Sequence, residues 1–386
     1  MVSGSENRPI TIGILENRNY AYADMMRKSF DLAQDAVNRQ GGINGRILIL
    51  AYADGGGEKR QGVQAVEHLV RSKKVVMLAG GYSSTNALAM AQRADDLDIP
   101  FLVSTAADDR ITRRHRKNIF RLNPPAGEYA RGLEGLLKQK LRPRTMAIIY
   151  ENSPFGTGGA MRMMWFCREN GIETTAIIPY HKERASADYF DRILAPLTHK
   201  PTEMIYLISY MRDGVQMVQR IRAAGISAHL LGGAGGFTHP EFIKAAGPAS
   251  GFMMTAALWW ADQPYPLSGR YAKMYRDAYS GQAPDYHGAE AYSALLVAAD
   301  ALRRAKSMQA ADLRAALEQT RISTPFGHVV FEAYNGFERQ NRQPTLVLQA
   351  LRGRYECIWP PDIAMARFVL PAPDRFRQKG IRDASR

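Results

Sequence analysis

Two short hydroxyl clusters, Ser83, Ser84, Thr85 and Ser104, Thr105, are the residues of this chain whose type and spacing best suit chemistry. Each closes an apolar run, residues 75–78 and 100–103, that reads as a buried strand, and a helical segment lies between them. Neighbouring strands of a parallel sheet end in a common crevice, so both clusters are expected to converge on one small-molecule pocket. Hydroxyls placed there bind a ligand but do not by themselves catalyse. A helix start near Thr85 favours an anion, while the same residues could instead cap that helix, a role worth about 1 kcal/mol.

Other chemistry has little to stand on. His181, His199, His229, His239 and His287 are scattered, with no HExxH, no GxSxG elbow and no phosphate loop ending in Lys and Ser/Thr. The stretch GGAGG at 232–236 lacks the GxGxxG spacing and the acidic partner of a dinucleotide loop. No enzyme, no cofactor and no metal site is expected. Cys167 and Cys357, 190 positions apart, read as buried free thiols, and a disulfide between them stays open.

The formal charge of +14 raises nucleic acid or an anionic surface as a partner. Arginine is nevertheless spread along the chain, with dense patches at Arg110, Arg113, Arg114, Arg116, Lys117 and at the C-terminus. No nucleic-acid motif accompanies either patch, so a solvated basic face is expected and nucleic acid is not. No run approaches the ~18 apolar residues of a membrane span. The chain begins with the polar MVSGSENRPI, which leaves either a cytoplasmic protein or one whose secretory leader has been removed.

At 386 residues the chain exceeds one ordinary hydrophobic core, and strand and helix patterns alternate through two successive sets. The first runs from the strand at 10–15 to about residue 123, the second from the helix at 128–140 to the strand at 228–231. Three helices follow, 266–280, 286–306 and 310–320, then strands at 327–331 and 345–350 around a polar turn, 335–343. The fold class is α/β, with two doubly wound parallel-sheet lobes.

That order, together with VNRQGGINGRILILAYAD, PFLVSTAADDRIT, MAIIYENSPFG and MIYLISYMRDGVQMVQRIRAAG, resembles the type I periplasmic solute-binding proteins of the leucine/isoleucine/valine-binding kind. The glycine-rich turn Gly41, Gly42, Ile43, Asn44, Gly45 before a strand is the most specific marker. The resemblance implies two lobes joined by three crossovers near 123–125, 252–255 and 331–334, closing on a ligand by a hinge motion. The first lobe would then take 9–123 plus 255–331, the second 124–254 plus 332–360, leaving 361–386 as a tail. It also implies a periplasmic location with the leader removed, a small-molecule ligand and a membrane permease of an ABC importer as partners. Oligomeric state is open.

For the ligand site, the resemblance places Ser84 at the serine that takes a substrate carboxylate and Thr105 at a main-chain donor. Ala107 stands where a threonine hydroxyl is usual. In the second lobe Phe155 replaces a common tyrosine, Tyr210 occupies a cleft position, and Ala234 replaces the carboxylate that pairs with a ligand ammonium. Asp108 or Asp213 could substitute, although each reads as a solvated loop carboxylate. Ser83, Tyr20 and Tyr22 in the first lobe and Trp259 after the second crossover strand complete the expected set. A buried ammonium without a counter-charge is disfavoured by several kcal/mol. The expected ligand is therefore apolar, an aromatic acid or a lipid such as a sterol, rather than a standard amino acid. The other readings are an amino-acid-binding importer component and a cytoplasmic ligand-sensing regulator.

Overall fold

The computed structural model describes residues 8–113 and 115–370. They fall into two compact units. The first takes the chain up to Pro125 and again Ala261–Gln343; the second takes Ala126–Trp260 and the chain from Pro344.

The first unit begins β1 (Ile10–Glu16), α1 (Ala23–Arg39), β2 (Leu48–Asp54), α2 (Lys59–Glu67), β3 (Met77–Gly80), α3 (Ser84–Asp96), β4 (Phe101–Val103), α4 (Arg110–Arg113) and β5 (Ile119–Arg121). The second contains α5 (Arg131–Leu136), β6 (Thr145–Glu151), α6 (Pro154–Glu169), β7 (Glu173–Tyr180), α7 (Ala187–His199), β8 (Met204–Ile208), α8 (Met211–Ala223), β9 (His229–Gly232), α9 (Phe242–Ala246) and β10 (Met254–Ala257). The chain returns to the first unit for α10 (Pro266–Ala278), α11 (Tyr286–Arg304), α12 (Ala310–Glu318), β11 (Arg321–Thr324), β12 (Gly327–Tyr334) and β13 (Phe337–Asn341). It ends in the second with β14 (Leu346–Leu351) and β15 (Arg354–Trp359).

Burial explains why short apolar runs become strands here. Every residue of β3, β4, β5 and β8 is buried, the pattern of strands covered on both faces. Edge strands β2 and β7 carry more exposed positions, and Pro179 sits in β7, where a missing N–H costs no internal ladder bond. Among the described residues the first sheet runs β11-β12-β13-β5-β4-β3-β1-β2 and the second β15-β14-β10-β9-β8-β6-β7. Pairing is parallel from β13 to β2 and from β10 to β7, with antiparallel strands added at one edge of each sheet.

Helix α1 buries one stripe, Met26, Phe30, Ala33 and Val37, and ends in the glycine turn singled out above. Gly41, Gly42, Asn44 and Gly45 all have positive φ, and a Cβ on Gly42 would run into the Arg46 carbonyl oxygen. Glycine is needed at Gly42 for space as well as for conformation. Asn38 then fastens helix to strand, its amide donating to Leu48 O and accepting from Leu48 N, both at 2.9 Å.

Three sequence expectations give way. Residues 335–343 are not a polar turn: Phe337–Asn341 is β13, paired to β12 and β5, so the third crossover follows Gln343 rather than lying at 331–334. The strand was hidden because its inward residues are polar, Gln340 and Asn341 being 0% and 1% exposed. The second crossover follows Trp260 instead of lying at 252–255, since β10 is an interior strand of the second sheet. The helix expected at 128–140 starts later: Ala126–Glu128 is a separate 3-10 turn, α5 begins at Arg131, and the helix continues from it into a wider last turn, Leu137–Leu141. Of the tail, residues 361–370 are described, and Val369 exchanges backbone hydrogen bonds of 2.8 and 2.9 Å with the Gln349 side chain of β14. Residues 371–386 lie outside the described set.

Arg121 of β5 is fully buried and ties three segments together. It donates to Gln340 Oε1 of β13 at 2.6 Å, to Thr112 Oγ1 of α4 at 2.7 Å and to Asp108 O at 2.8 Å. The basic patch around it is engaged locally. Arg110 pairs with Asp108, Arg113 with Asp109 and Lys117 with Asp98, while Arg116 donates to the Arg110 and Ile111 carbonyls. Arg114 lies outside the described residues. Cys167 and Cys357 are both buried free thiols, and burial pushes Cys167 up to about 11. Among the described residues no helix is long and apolar enough to cross a membrane, and no group of His, Cys, Asp or Glu is arranged to hold a metal ion.

Candidate functional site

In the first unit, β1, β3 and β4 deliver their carboxyl ends to one region. Gly80 and Gly81, both at positive φ, turn the chain out of β3, and the amides of Ser104 and Ala106 bond back to their carbonyls at 2.9 and 3.1 Å. Asn17, just after β1, accepts from the amides of Tyr82 and Ser83 at 3.2 and 3.4 Å and donates to Gly56 O at 2.6 Å. One buried amide side chain thus joins the loops after β1, β2 and β3.

The loops that carry the two hydroxyl clusters are joined there. Ser84 Oγ accepts a 3.2 Å bond from the Ala107 amide, so Ala107 is held through its backbone although it lacks the expected hydroxyl. Thr105 Oγ1 lies 3.1 Å from Ser104 Oγ, and its carbonyl accepts from Asn123 Nδ2 at 2.6 Å. Ser83 stands at the N-cap of α3 without a side-chain cap bond, so capping does not account for its hydroxyl. Ser83, Ser84, Thr105 and Ala107 are all buried.

Tyr20 and Tyr22 join an aromatic stack that the sequence did not disclose. Tyr20 and Tyr22 lie 4.9 and 5.7 Å from Tyr82, and Tyr22 stacks on His287 at 3.6 Å. Tyr286 also stacks on that imidazole, at 3.9 Å between ring centroids. Asp285, the N-cap of α11, fixes that ring: its carboxylate accepts from the His287 amide and from Nδ1, each at 2.9 Å. Asn17, Tyr82, Asp285 and His287 were missed because nothing in their local spacing joins residues so far apart in the chain. An Asp-x-His at a helix start was the available signal.

The second unit gathers a different set at its own strand ends. Phe155, in the first turn of α6, lies 5.6 Å from Tyr210, the N-cap of α8, and 6.0 Å from Tyr129. Ala234 is buried at φ 61 and ψ −142 beside Gly235, whose added Cβ would press on the Phe155 ring at 2.7 Å. A non-glycine residue in that backbone region stores about 1–3 kcal/mol of strain, a common mark of a functional loop. Trp259 follows β10 and is 3% exposed, while Trp260 meets Tyr355 edge-on and packs against the core of the unit.

Two carboxylates correct the expectation of solvated loops. Asp108, in the first unit, is buried and gripped by Arg110 at 2.7 Å. Asp213, in the first turn of α8, is half-buried, accepts a 3.4 Å bond from Tyr180 Oη, and is pushed up to about 6, chiefly by desolvation. Glu151, the last residue of β6, is buried with Oε2 unpartnered among the described residues, and desolvation raises it as well. Lys182 opposes both shifts and also lies over the Tyr210 ring at 5.4 Å. Each unit therefore gathers a distinct candidate surface: hydroxyls and stacked tyrosines in the first, aromatic rings beside raised carboxylates in the second.

Comparison with known proteins agrees with this architecture. The profile of the family described as "Periplasmic binding protein" matches residues 9–353. The Leu/Ile/Val-binding protein homolog 7 of Brucella melitensis is 22% identical over 365 residues, 90% of each chain. The branched-chain amino acid transporter substrate binding protein LivJ of Streptococcus pneumoniae, solved with isoleucine, superposes with a TM-score of 0.81 at 20% identity, over 91% of this chain and all of that one. A solute binding protein of an ABC transporter from R. palustris, solved with benzoate, gives 0.78 at 19% identity over 91% of this chain and 95% of that one. At such identities the structural likenesses establish the fold: two parallel-dominated sheets, each flanked by helices and each edged by antiparallel strands. With nine-tenths of its length under one family profile, this chain belongs to the periplasmic binding protein family.

Proposed function

We propose that the chain is a non-catalytic solute-binding component of an ABC importer, working in the periplasm, and that its ligand is an aromatic carboxylate. In the first unit Ser84, Thr105 and the Ala107 loop meet the carboxylate and Tyr20 and Tyr22 flank it; in the second unit Phe155 and Tyr210 offer an aromatic surface. A membrane permease reads the ligand-bound form. The observation that carries the reading is Ala234, a buried methyl in a strained loop whose next residue, Gly235, lies close to the Phe155 ring, at the place where the resemblance expects an acid for an ammonium. The benzoate-bound relative shows that the family's fold hosts such ligands. Calorimetric titration of benzoate, leucine and a sterol tests it: benzoate binds and leucine does not. Tight leucine binding at neutral pH overturns it.

A second reading has one observation in its favour. Asp213, half-buried and raised to about 6, could meet an ammonium in place of the missing acid. The sign is fixed: an ammonium selects the ionised carboxylate, so affinity for leucine would rise with pH and level off above about 6. Measured between pH 5 and pH 8, leucine affinity on this reading climbs several-fold, and Asp213→Asn removes the slope. A flat profile for leucine discards it.

A further inference from the structure

His287, in the first turn of α11, is held more firmly than packing alone requires. Its ring is 2% exposed, stacks on Tyr22 and Tyr286, and lies 5.5 Å from Tyr82, two residues before Ser84. Asp285, the N-cap of the helix, bonds it twice: Oδ1 accepts from the His287 amide and Oδ2 lies 2.9 Å from Nδ1. Asp285 is anchored in turn, its amide meeting Met25 Sδ of α1 at 3.3 Å. These contacts fix one imidazole and leave its Nε2 without a hydrogen-bond partner among the described residues. Glu290, three positions on, does not serve it, since both of its oxygens are sealed in the interior without a partner; Nε2 is not sealed in that way. A polar atom left open on so fixed a ring needs an explanation.

We infer that His287 Nε2 is a ligand-binding atom of the first unit, accepting a hydrogen bond from a hydroxyl group on an aromatic carboxylate. A carboxylate at the start of a helix is favoured as the anion, and an anion can only accept. The hydrogen of the Asp285–His287 pair therefore sits on Nδ1, and the neutral ring keeps its lone pair on Nε2. The carboxylate behind the ring strengthens that lone pair as an acceptor. The inference rests on the proposed reading, in which Ser84, Thr105 and the Ala107 loop take the ligand carboxylate and Tyr22 flanks the ligand. An atom of the ring stacked on Tyr22 is then left for a substituent elsewhere on the ligand. A lone pair there selects a hydroxyl over a group that has no hydrogen to give.

The test uses the full chain with benzoate, the hydroxybenzoates and the matching methoxybenzoates as probes, titrated calorimetrically beside urea unfolding. In the parent, one hydroxybenzoate binds about tenfold more tightly than benzoate, the worth of one good hydrogen bond, and its methoxy counterpart does not share the gain. His287→Phe keeps a flat ring against Tyr22 and brings the ratio of hydroxybenzoate to benzoate affinity to about one. A purely structural role would weaken both ligands alike and leave that ratio where it was. Asp285→Asn keeps an oxygen for the helix cap but sets an N–H against Nδ1, which moves the imidazole hydrogen to Nε2. An Nε2–H donates to either oxygen, so this variant no longer tells hydroxy from methoxy, and it decides the matter if His287→Phe fails to fold. If benzoate binds and no hydroxybenzoate exceeds it, the inference falls while the reading of the site stands. The same holds if the preference over benzoate survives His287→Phe, or the preference over the methoxy compound survives Asp285→Asn. A methoxybenzoate as tight as its hydroxy counterpart in the parent also overturns the inference. If no aromatic carboxylate binds, the reading of the site fails and takes the inference with it.

Discussion

Replacing Arg121 by alanine is expected to lower the stability of the first unit by about 3–5 kcal/mol. The guanidinium is fully buried and donates to Gln340, Thr112 and the Asp108 carbonyl, so truncation removes three hydrogen bonds and leaves a void where the guanidinium and its stem lay, although Gln340 Oε1 still accepts from Thr112 and Asp108 O from the Ile111 amide. The loss should reach the binding surface as well, since Asp108 follows directly on the Thr105–Ala107 loop. With two units in the chain a single melting temperature is not well defined. Urea unfolding followed by two probes, one reporting each unit, is the appropriate measurement. An unchanged midpoint for the first unit would mean that α4, β5 and β13 are held together by their backbone pairing alone.

Replacing Ser84 by alanine is expected to weaken a carboxylate ligand by about 1–3 kcal/mol, roughly five- to 150-fold. The structure gives this substitution two consequences instead of one. On the proposed reading the ligand loses a hydroxyl partner, and in the structure the buried Ala107 amide loses the oxygen that accepts its hydrogen. The second consequence persists without any ligand, so the urea midpoint should fall modestly in parallel. If the affinity for benzoate and phenylacetate is unchanged, the ligand does not present its carboxylate to the β3 and β4 strand ends. A wholly apolar ligand such as a sterol is then the better candidate.

Much of the fold was legible because buried parallel strands announce themselves as unbroken apolar runs. Residues 75–78 and 100–103 mark β3 and β4, and the loops that follow them are joined by the bond from the Ala107 amide to Ser84 Oγ. Where polar residues point inward the same logic fails. Strand β13 was read as a turn since Gln340 and Asn341 spend their side chains on Arg121, Asn123 and Leu122 inside the unit. Helix α11 hid its contribution for a related reason. It is buried on nearly all sides, so Glu290 amid alanines looks like an ordinary surface charge in the sequence. The stacking of Tyr22 on His287 joins residues more than 250 positions apart, and no local periodicity records that.

The late insertion of β13 beside β5 also bears on how the chain is made. A ribosome that has released residues 1–125 has supplied five strands of the first sheet, yet β5 has no neighbour on its outer side until residue 341 emerges. During that interval an unpaired strand edge is open to the wrong partner, the usual starting point for aggregation. Expression of the first 125 residues alone should therefore give insoluble material, whereas a fusion joining them through a short linker to 261–343 should yield a soluble half-molecule.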